Sequence, residues 1–522
     1  MSPNEFASQI ATVHKEWAKN SRRCHTFIII LVALYGMFNV NVHAAFQADQ
    51  WADPGDNLLR HDLQLLADAG LLRAPLTTWP VAWRDIRQDI DSITQAHPAA
   101  LPPSHLGTAV QHALARIRYR LGTLPGVERS ARQIQMTVAT DPPVRMPDAQ
   151  EPTAPFRTFA ATPRVAGEIQ ASIAGGNQRI AYRLQAQVVT EPEDGQNLRL
   201  DGSYATLLLG NWGVTLGTLE RWWGPGWDGS LILSNNARPV PGLTLQRIIS
   251  DPFPWQPFTK LGPWQLVFST GLLEQERADI RNALLTTVRL NFKPTSHLEI
   301  GLSRVAQWGG EGRSEDMHTF FNMLLGQDNS ADASGYFEPG NQLAGYDIRW
   351  VSPVFNLPYA IYGQLIGEDE AGNLPYKFIG LAGMEWWGTT TSVGAASYRL
   401  HVEYADTAVD FYKTPKFNVA YRHHLYSEGY VYRERFLGHT AGGDARSLSL
   451  GGILAYSDSA HWEGLIRWIQ SGRGNTPVEH SSLEVRFTTA VHGPDQYQIS
   501  TGLFNQQAST EAHASLKWIR TF

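Results

Sequence analysis

The chain has 522 residues, enough for two or three ordinary domains or for one large barrel with an appendage. Its 46 glycines, 30 prolines and 11% aromatic residues favour many short strands joined by turns. A mean hydropathy of -0.26 excludes a helical membrane protein but not a β-barrel with a polar lumen. The net charge of -6, without a basic stripe, argues against nucleic acid as a partner.

A short apolar segment near the N-terminus predicts export. Residues Phe27 to Phe38 are apolar, follow a basic leader, and precede small residues that allow cleavage before Ala45. The alternative is a membrane-anchoring helix, but this segment is shorter than the ~20 residues needed to cross a bilayer. Residues 1–44 are therefore predicted to be a cleaved signal peptide. The single cysteine, Cys24, precedes the apolar segment, so no disulfide is expected in the mature chain.

Residues 45–128 are predicted to form a periplasmic helical bundle. Asp56 can cap a helix whose apolar stripe runs from Leu58 onward and ends at Gly70. Pro80 fits the first turn of a second helix, and Pro103 opens a third helix that ends at Gly122. The charged outer faces of these helices favour an aqueous compartment.

From about Arg132 onward the hydrophobic period changes from 3.6 to 2, which predicts β-structure over residues 129–522. Eighteen alternating runs can be counted, give or take two. They are residues 132–138, 179–189, 198–208, 212–219, 243–249, 265–273, 284–292, 297–305, 347–351, 359–366, 378–386, 393–404, 418–426, 447–456, 462–470, 483–491, 497–503 and 514–522. The predicted fold class is mainly β, a large antiparallel transmembrane β-barrel of about eighteen strands with the helical bundle N-terminal to it.

Run 284–292 illustrates the two faces of a membrane strand. Arg289 and Asn291 alternate with Leu290 and Phe292, which predicts polar residues facing the lumen and apolar residues facing lipid. The last run ends in an aromatic residue, Phe522, as barrel proteins present to their insertion machinery. A strand of a soluble sandwich also alternates, so the number of runs is what favours the membrane barrel.

The most distinctive stretch is Glu220–Arg247, which reads ERWWGPGWDGSLILSNNARPVPGLTLQR. Its prolines lack the N–H that a strand ladder needs, so it is not a regular strand. Leu231 to Leu233 nevertheless need burial. Residues 220–247 are therefore predicted to be an ordered loop inside the β-structure.

Two interpretations of this loop remain open. Aromatic rings that stack on sugars, amides that bond hydroxyls and arginines that bind carboxylates favour a glycan site. The same residues also suit a packed plug, with arginines paired to acids such as Glu220 or Asp228. The candidate residues are Arg221, Trp222, Trp223, Trp227, Asn235, Asn236 and Arg238.

The sequence from Arg221, RWWGPGWDGSLILSNNARPVPG, resembles the central signature of the capsule-assembly Wzi family of Gram-negative outer-membrane proteins. The resemblance implies an eighteen-stranded barrel filled by inward loops and a periplasmic bundle. It also implies a lectin-like, non-enzymatic protein that retains capsular or extracellular polysaccharide at the cell surface. The implied partners are an acidic or neutral polysaccharide, outer-membrane lipid and the barrel-insertion machinery, and no cofactor is implied.

Two rival functions are a diffusion or export channel and an outer-membrane hydrolase. The bulky loop and the bundle argue against an open channel. No catalytic sequence motif is present, although Ser234, His318 and Asp228 could be combined into a catalytic site. Glu311, Glu315 and Asp316 could be glycosidase carboxylates but favour a solvated loop. No metal site is predicted, because His423 and His424 would point to opposite faces of a strand.

Overall fold

The computed structural model describes residues 49–95, 107–121, 129–140, 157–325, 340–354, 357–371, 374–390, 396–489, 494–506 and 509–522. The predicted signal peptide, residues 1–44, lies outside these ranges, as do Pro103 and Gly122. Residues 45–521 belong to one compact unit.

The described residues contain four α-helices. They are α1 (Asn57–Asp68), α2 (Trp83–Gln95), α3 (Gly107–Leu121) and α4 (Met317–Leu325). None of them is long and apolar enough to cross a membrane. The predicted cap of α1 is confirmed, because the Asp56 carboxylate accepts a hydrogen bond from the Leu59 N–H at 2.8 Å.

Helix α2 begins later than the sequence predicts. Residues Val81–Ala82 pair with Trp51–Ala52 in a short antiparallel ladder, so the chain is still extended where Pro80 was expected to open the helix. Helix α4 is not among the helices that the sequence predicts. Its first turn is capped by Asp316, which accepts a hydrogen bond from the Thr319 N–H at 2.7 Å.

Eighteen antiparallel strands form a closed barrel in simple chain order. They are β1 (Arg129–Ala139), β2 (Gly167–Gly176), β3 (Ile180–Thr190), β4 (Leu198–Arg199 and Tyr204–Leu209, interrupted by a turn), β5 (Trp212–Gly217), β6 (Gly242–Arg247), β7 (Trp264–Leu272), β8 (Leu284–Thr295), β9 (Leu298–Trp308), β10 (Gly340–Val351), β11 (Tyr359–Ala371), β12 (Leu374–Thr390), β13 (Ala396–Asp406), β14 (Arg446–Tyr456), β15 (His461–Ser471), β16 (Val478–Thr488), β17 (Asp495–Gln506) and β18 (Ser509–Thr521). Each strand pairs with the next, and β18 pairs with β1, from Ser515 opposite Ala139 to Thr521 opposite Gln133. The barrel is therefore closed and has no free edge.

The predicted fold class and strand number are confirmed, but two individual strands differ. Strand β2 was missed, because small residues dilute its alternation in the sequence GEIQASIAGG. Residues 418–426 were wrongly predicted to be a strand. Asn418 and Tyr421 have φ of 58° and 61°, which an extended strand does not allow, and the segment turns within the long connection 407–445.

The outer face of the barrel is apolar. Leu450 on β14 stands beside Val402 on β13 and Ile466 on β15, and Leu450 is 41% exposed. On β8 the predicted inward residues Arg289 and Asn291 are fully buried in the lumen. Strands therefore present apolar side chains outward and polar side chains to the interior, which is the pattern of a membrane barrel.

The strand ends that the long connections join lie at one end of the barrel. Residues 140–166, 218–241, 309–339 and 407–445 join strands at this end, which we call the long-loop end. At the opposite end, residues 177–179, 210–211, 296–297 and 457–460 make short turns. Only the connection 248–263 is long at the short-turn end.

The three N-terminal helices fill the lumen at the short-turn end. The Arg116 guanidinium on α3 binds both carboxylate oxygens of Asp62 on α1 and donates to the Tyr456 carbonyl oxygen at the end of β14. Asp68 at the end of α1 pairs with Arg349 on β10 and Arg399 on β13 at 2.8 and 2.9 Å. The charged faces that were predicted to meet water are thus partly buried against the barrel wall.

A charge placed on the outer belt should destabilise the barrel according to its depth. Leu450→Arg, at the middle of β14, is expected to cost ~2–4 kcal/mol because the guanidinium would face hydrocarbon. Leu216→Arg, at the end of β5, is the matched control and should cost about 0–1 kcal/mol. Denaturant titration of folding into phospholipid vesicles measures both, and equal costs would contradict the membrane orientation.

The docking of α2 should depend on pH. Burial raises the pKa of Asp85 above its ordinary value of 3.8 to about 6, although the Ser250 N–H donates to it. The folded state therefore holds a proton that the unfolded state has lost, and stability should fall as pH rises from about 4 to above 6, by roughly 3 kcal/mol.

Asp85→Asn should remove this dependence, because the amide has no charge to bury. Thermal unfolding of the wild type and the variant between pH 4 and pH 8 measures the effect. A wild-type protein that becomes more stable as pH rises through this window would contradict the assignment.

Candidate functional site

The predicted internal loop lies inside the barrel lumen. It comprises residues 218–241 between β5 and β6, and we call it the luminal insert. Residues 242–247, where the predicted loop overlaps the predicted strand run 243–249, form strand β6. The insert enters from the long-loop end and meets the helices that fill the other end.

The insert begins with a short ladder against the helical region. Trp222–Trp223 pairs antiparallel with Thr78–Trp79, and the Trp223 N–H donates to the Leu233 carbonyl oxygen at 2.9 Å. The indoles of Trp79, Trp222 and Trp223 are fully buried. The ring of Phe159 contacts Trp79 and Trp222 edge-on at 5.0 and 5.5 Å between ring centroids.

Arg60 on α1 clamps the turn that follows. Its guanidinium donates to the carbonyl oxygens of Pro225 and Gly226 at 2.7 and 2.8 Å. It also lies 4.4 Å from the ring centroid of Phe159 and 4.1 Å from that of Trp227. Burial lowers the pKa of Arg60 to about 10, so the group remains cationic near neutral pH. No carboxylate of the described residues pairs with Arg60, and aromatic faces stabilise the charge instead.

Wall side chains satisfy the backbone of the insert. Glu403 on β13 accepts hydrogen bonds from the N–H groups of Trp227 and Gly229 at 2.8 and 2.6 Å. Gln364 on β11 accepts from the Leu231 N–H and donates to the Trp223 carbonyl oxygen. These bonds meet the requirement that buried backbone groups be paired.

Charged groups of the wall fix the indole and the carboxylate of the same turn. The Trp227 indole N–H donates to Glu385 on β12 at 2.9 Å. Asp228 pairs with Arg467 on β15 at 2.7 Å. The turn is therefore held by four separate strands as well as by helix α1.

Arginines hold the second half of the insert in two ways. Some donate to its backbone from outside, and one belongs to the insert and pairs with acids of the barrel. Arg157 and Arg164 donate to the Asn235 carbonyl oxygen at 2.9 and 2.6 Å. The Arg238 guanidinium binds both carboxylate oxygens of Asp201 and one of Asp194. Such bidentate pairs are strong and direction-specific.

The side chains of Asn235, Asn236 and Arg221 also form hydrogen bonds with other groups of the protein. The Asn235 and Asn236 amides donate to the carbonyl oxygens of Phe159 and Phe436. Arg221 donates to the Leu219 carbonyl oxygen and the Thr244 hydroxyl, and burial lowers its pKa to about 10.

The long connection 407–445 covers the insert from the long-loop end. The hydroxyls of Tyr421 and Tyr430 donate to the carbonyl oxygens of Leu231 and Ile232 at 2.6 and 2.8 Å. The Ser234 hydroxyl donates to the Gly438 carbonyl oxygen at 2.6 Å. Leu231 and Ile232 are fully buried, so the two loops form one packed unit.

The structure brings all seven candidate residues together, and they are packed rather than open. Trp222, Trp223 and Trp227 are at most 5% exposed. This arrangement agrees with the plug interpretation, except that Arg238 pairs with Asp194 and Asp201 and not with Glu220 or Asp228. A direct glycan contact by these residues stays a prediction.

The residues considered for catalysis do not form a site. Ser234 is engaged with the Gly438 carbonyl oxygen, and Asp228 is paired with Arg467. His318 lies on the exposed helix α4. Glu311 is exposed, and Glu315 accepts a hydrogen bond from the Gly310 N–H.

The prediction that His423 and His424 lie in a strand and point to opposite faces is wrong. The two residues lie in a turn and not in a strand, and their ring centroids are 4.6 Å apart. In the described part of the chain, no group of three or more His, Cys, Asp or Glu residues could hold a metal ion.

A polar cavity on the other side of the insert was missed by the sequence analysis. Its volume is about 240 Å³, and it lies against β1 to β4 and β17 to β18. Six glutamines on the inner faces of the strands line it: Gln133, Gln135, Gln170, Gln185, Gln187 and Gln498. The signal in the sequence is glutamine at alternate positions, QIQ at 133–135 and QAQ at 185–187.

A closed eighteen-stranded barrel whose lumen is filled by its own helices and loops is an occluded transmembrane β-barrel. Residues 162–515 match the family model described as capsule assembly protein Wzi. The match covers more than half of the chain, and the chain belongs to this family.

Two similar proteins place this membership in context. An uncharacterised 55.8 kDa protein in the cps region of Klebsiella pneumoniae is 32% identical over 344 residues. The match covers 64% of this chain and 62% of that protein, which is less than two thirds of its length. Escherichia coli Wzi is an outer membrane protein involved in group 1 capsule assembly and a carbohydrate-binding β-barrel. It is 26% identical, with a TM-score of 0.76 over 90% of this chain and 99% of the solved chain.

Crowding the turn of the insert should loosen the plug. A Cβ at Gly226 would lie 2.2 Å from the Gly229 carbonyl oxygen, whereas a Cβ at Gly464 on β15 would meet no heavy atom within 4 Å. Gly226→Ala should therefore cost about 1–3 kcal/mol by overpacking, and Gly464→Ala serves as its control.

Thermal unfolding and single-channel conductance in planar bilayers measure the two variants. We expect a lower unfolding midpoint and more frequent conducting events for Gly226→Ala alone. Identical behaviour of the two variants would mean that the turn does not hold the lumen closed.

Proposed function

We propose that this protein binds an exported capsular or extracellular polysaccharide and retains it at the outer surface of a Gram-negative outer membrane, without catalysing a reaction. The observation that carries the proposal is the filled lumen. The barrel matches the carbohydrate-binding Escherichia coli Wzi over 90% of the chain, and its interior is occupied by helices and two packed loops. Such a barrel can hold a polymer at its rim.

The distribution of connections supports an orientation. Outer-membrane barrels have short periplasmic turns and longer extracellular loops. The long-loop end would therefore face outward, and α1 to α3, which lie at the short-turn end, would face the periplasm. The apolar belt around Leu450 would contact outer-membrane lipid.

The long-loop end offers an exposed surface of suitable chemistry. Tyr412 is 53% exposed, and the Lys413 ammonium lies 5.1 Å from the centroid of its ring. Lys416 is also on this loop and pairs with Asp410 at 2.7 Å. An aromatic ring beside cationic groups can stack on a sugar and attract an acidic one.

The alternative of a diffusion or export channel is less well supported. Arg60, Glu403 and Gln364 are engaged in fixing the insert across the lumen. A large and steady current from the purified protein in planar bilayers would favour the channel.

The test is binding of the purified protein to polysaccharide from its own bacterium, measured by surface plasmon resonance. Tyr412→Ala should weaken binding roughly threefold to tenfold, the range expected for loss of one aromatic contact. Trp255→Ala is the matched control, because Trp255 is 56% exposed but lies in the connection 248–263 at the short-turn end.

In cells, loss of the protein should release polysaccharide into the medium without reducing its synthesis. Absence of any binding by the folded wild-type protein would contradict the proposal. Equal weakening by Tyr412→Ala and Trp255→Ala would contradict the orientation.

A further inference from the structure

An arginine-rich pocket adjoins the glutamine-lined cavity. Its lining residues are Arg164, Arg199, Arg238, Arg433 and Arg435, with Glu193 and Asp194. Asp201 also binds Arg238, and Glu220 lies 3.5 Å from Arg164, so five cations face four carboxylates, although the whole chain carries a net charge of -6. An excess of buried cations at one point is costly unless an anion offsets it.

The pairing within this pocket leaves one arginine over. Arg238 and Arg199 share Asp194, and Arg435 pairs with Glu193 at 2.5 Å. Arg433 makes no ion pair with any residue that the structure describes. Its guanidinium lies 5.4 Å from the centroid of the Tyr432 ring, and its buried Nε has no hydrogen-bond partner. A guanidinium in this position can bind a carboxylate through two parallel N–H groups.

The pocket and the cavity adjoin each other. Arg164 and Arg199 line both of them. The pocket measures about 20 Å³, room for one small polar group, whereas the cavity measures about 240 Å³. The cavity is smaller than the ~300–1,000 Å³ of sites for drug-sized ligands, which restricts its occupant to about one sugar ring.

The cavity wall can recognise hydroxyl groups. A glutamine amide both donates and accepts hydrogen bonds, as a sugar hydroxyl does. The Gln133 side chain has no hydrogen-bond partner among the described residues and faces the cavity. The Gln187 amide donates to Gln170 at 3.1 Å and to the Asp201 carbonyl oxygen at 3.4 Å, so the amide N–H groups of Gln170 stay available.

We propose that the adjoining cavity and pocket bind one uronate-type sugar residue, with the carboxylate on the arginines at their boundary and the hydroxyls on the glutamines. This inference rests on the proposed function and names its ligand class. It also gives the interior of the barrel a part in binding, in addition to the exposed loops. The bound residue would belong to an acidic polysaccharide that reaches the lumen from the long-loop end.

Equilibrium dialysis of the purified full-length protein with isotope-labelled glucuronate tests the proposal, with glucose as the uncharged sugar. We expect glucuronate to saturate near one molecule per protein and glucose to bind at least about tenfold more weakly, as expected for loss of a charged hydrogen bond. Arg433→Gln should weaken glucuronate binding about tenfold and leave glucose binding unchanged.

Two further variants separate recognition from folding. Arg281→Gln is the matched control, because the Arg281 side chain is 59% exposed and lines neither space. Gln133→Leu keeps the side-chain volume and should weaken both sugars, because it removes only a hydroxyl partner. Circular dichroism and heat-dependent electrophoretic mobility check that each variant forms the barrel.

Equal binding of glucuronate and glucose would overturn the proposal, as would unchanged binding by Arg433→Gln. A wild-type protein that retains polysaccharide but does not bind glucuronate would refute this subsite and leave the proposed function standing. A protein that binds glucuronate through Arg433 but retains no polysaccharide would refute the proposed function and leave this subsite standing.

Discussion

The width of the barrel is the constraint on which the rest of the structure depends. A closed cylinder of about eighteen strands has a lumen too wide for the wall side chains to fill. Chain that enters the lumen must have its backbone N–H and C=O groups paired. Glu403, Gln364 and Arg60 meet this requirement for the insert. The polar residues of the wall are therefore partners of a particular loop and not only the lining of a water-filled channel.

The lumen is not filled evenly. One side of it is packed with apolar residues, and the other side borders a polar cavity. Leu231 to Leu233 and Trp223 pack in one apolar cluster with Val267, Leu285 and Leu381 on the wall from β7 to β12. Against β1 to β4 and β17 to β18, glutamines and arginines border the cavity instead. Burial of apolar area stabilises the first side. The second side buries little apolar area, and its polar side chains are the ones proposed to bind a ligand.

The fold was largely predictable from the sequence, because alternation is local and repeats in every strand. The alternation of apolar and polar residues located seventeen of the eighteen strands and assigned Arg289 and Asn291 to the lumen correctly. The same criterion failed for residues 418–426, where Ala420 and Tyr426 are buried by a turning loop and not by a strand. The pairing of Arg238 with Asp194 and Asp201 was not predictable, because it depends on how distant loops meet in the lumen. The cavity was missed for the same reason, since its wall combines strands from both ends of the sequence.

The occlusion of the lumen is a joint property of the helices and the insert. Arg60 is a buried cation that pairs with no carboxylate in the described part of the chain, and its stabilisation comes from the carbonyl oxygens of Pro225 and Gly226 and from two aromatic rings. If the insert left, the guanidinium would remain in the lumen with fewer partners. If α1 left, the two carbonyl oxygens would lose their donors. Each element therefore stabilises the other, and opening the lumen requires both to move. A barrel closed in this way fits the proposed holding of a polymer better than the passage of one.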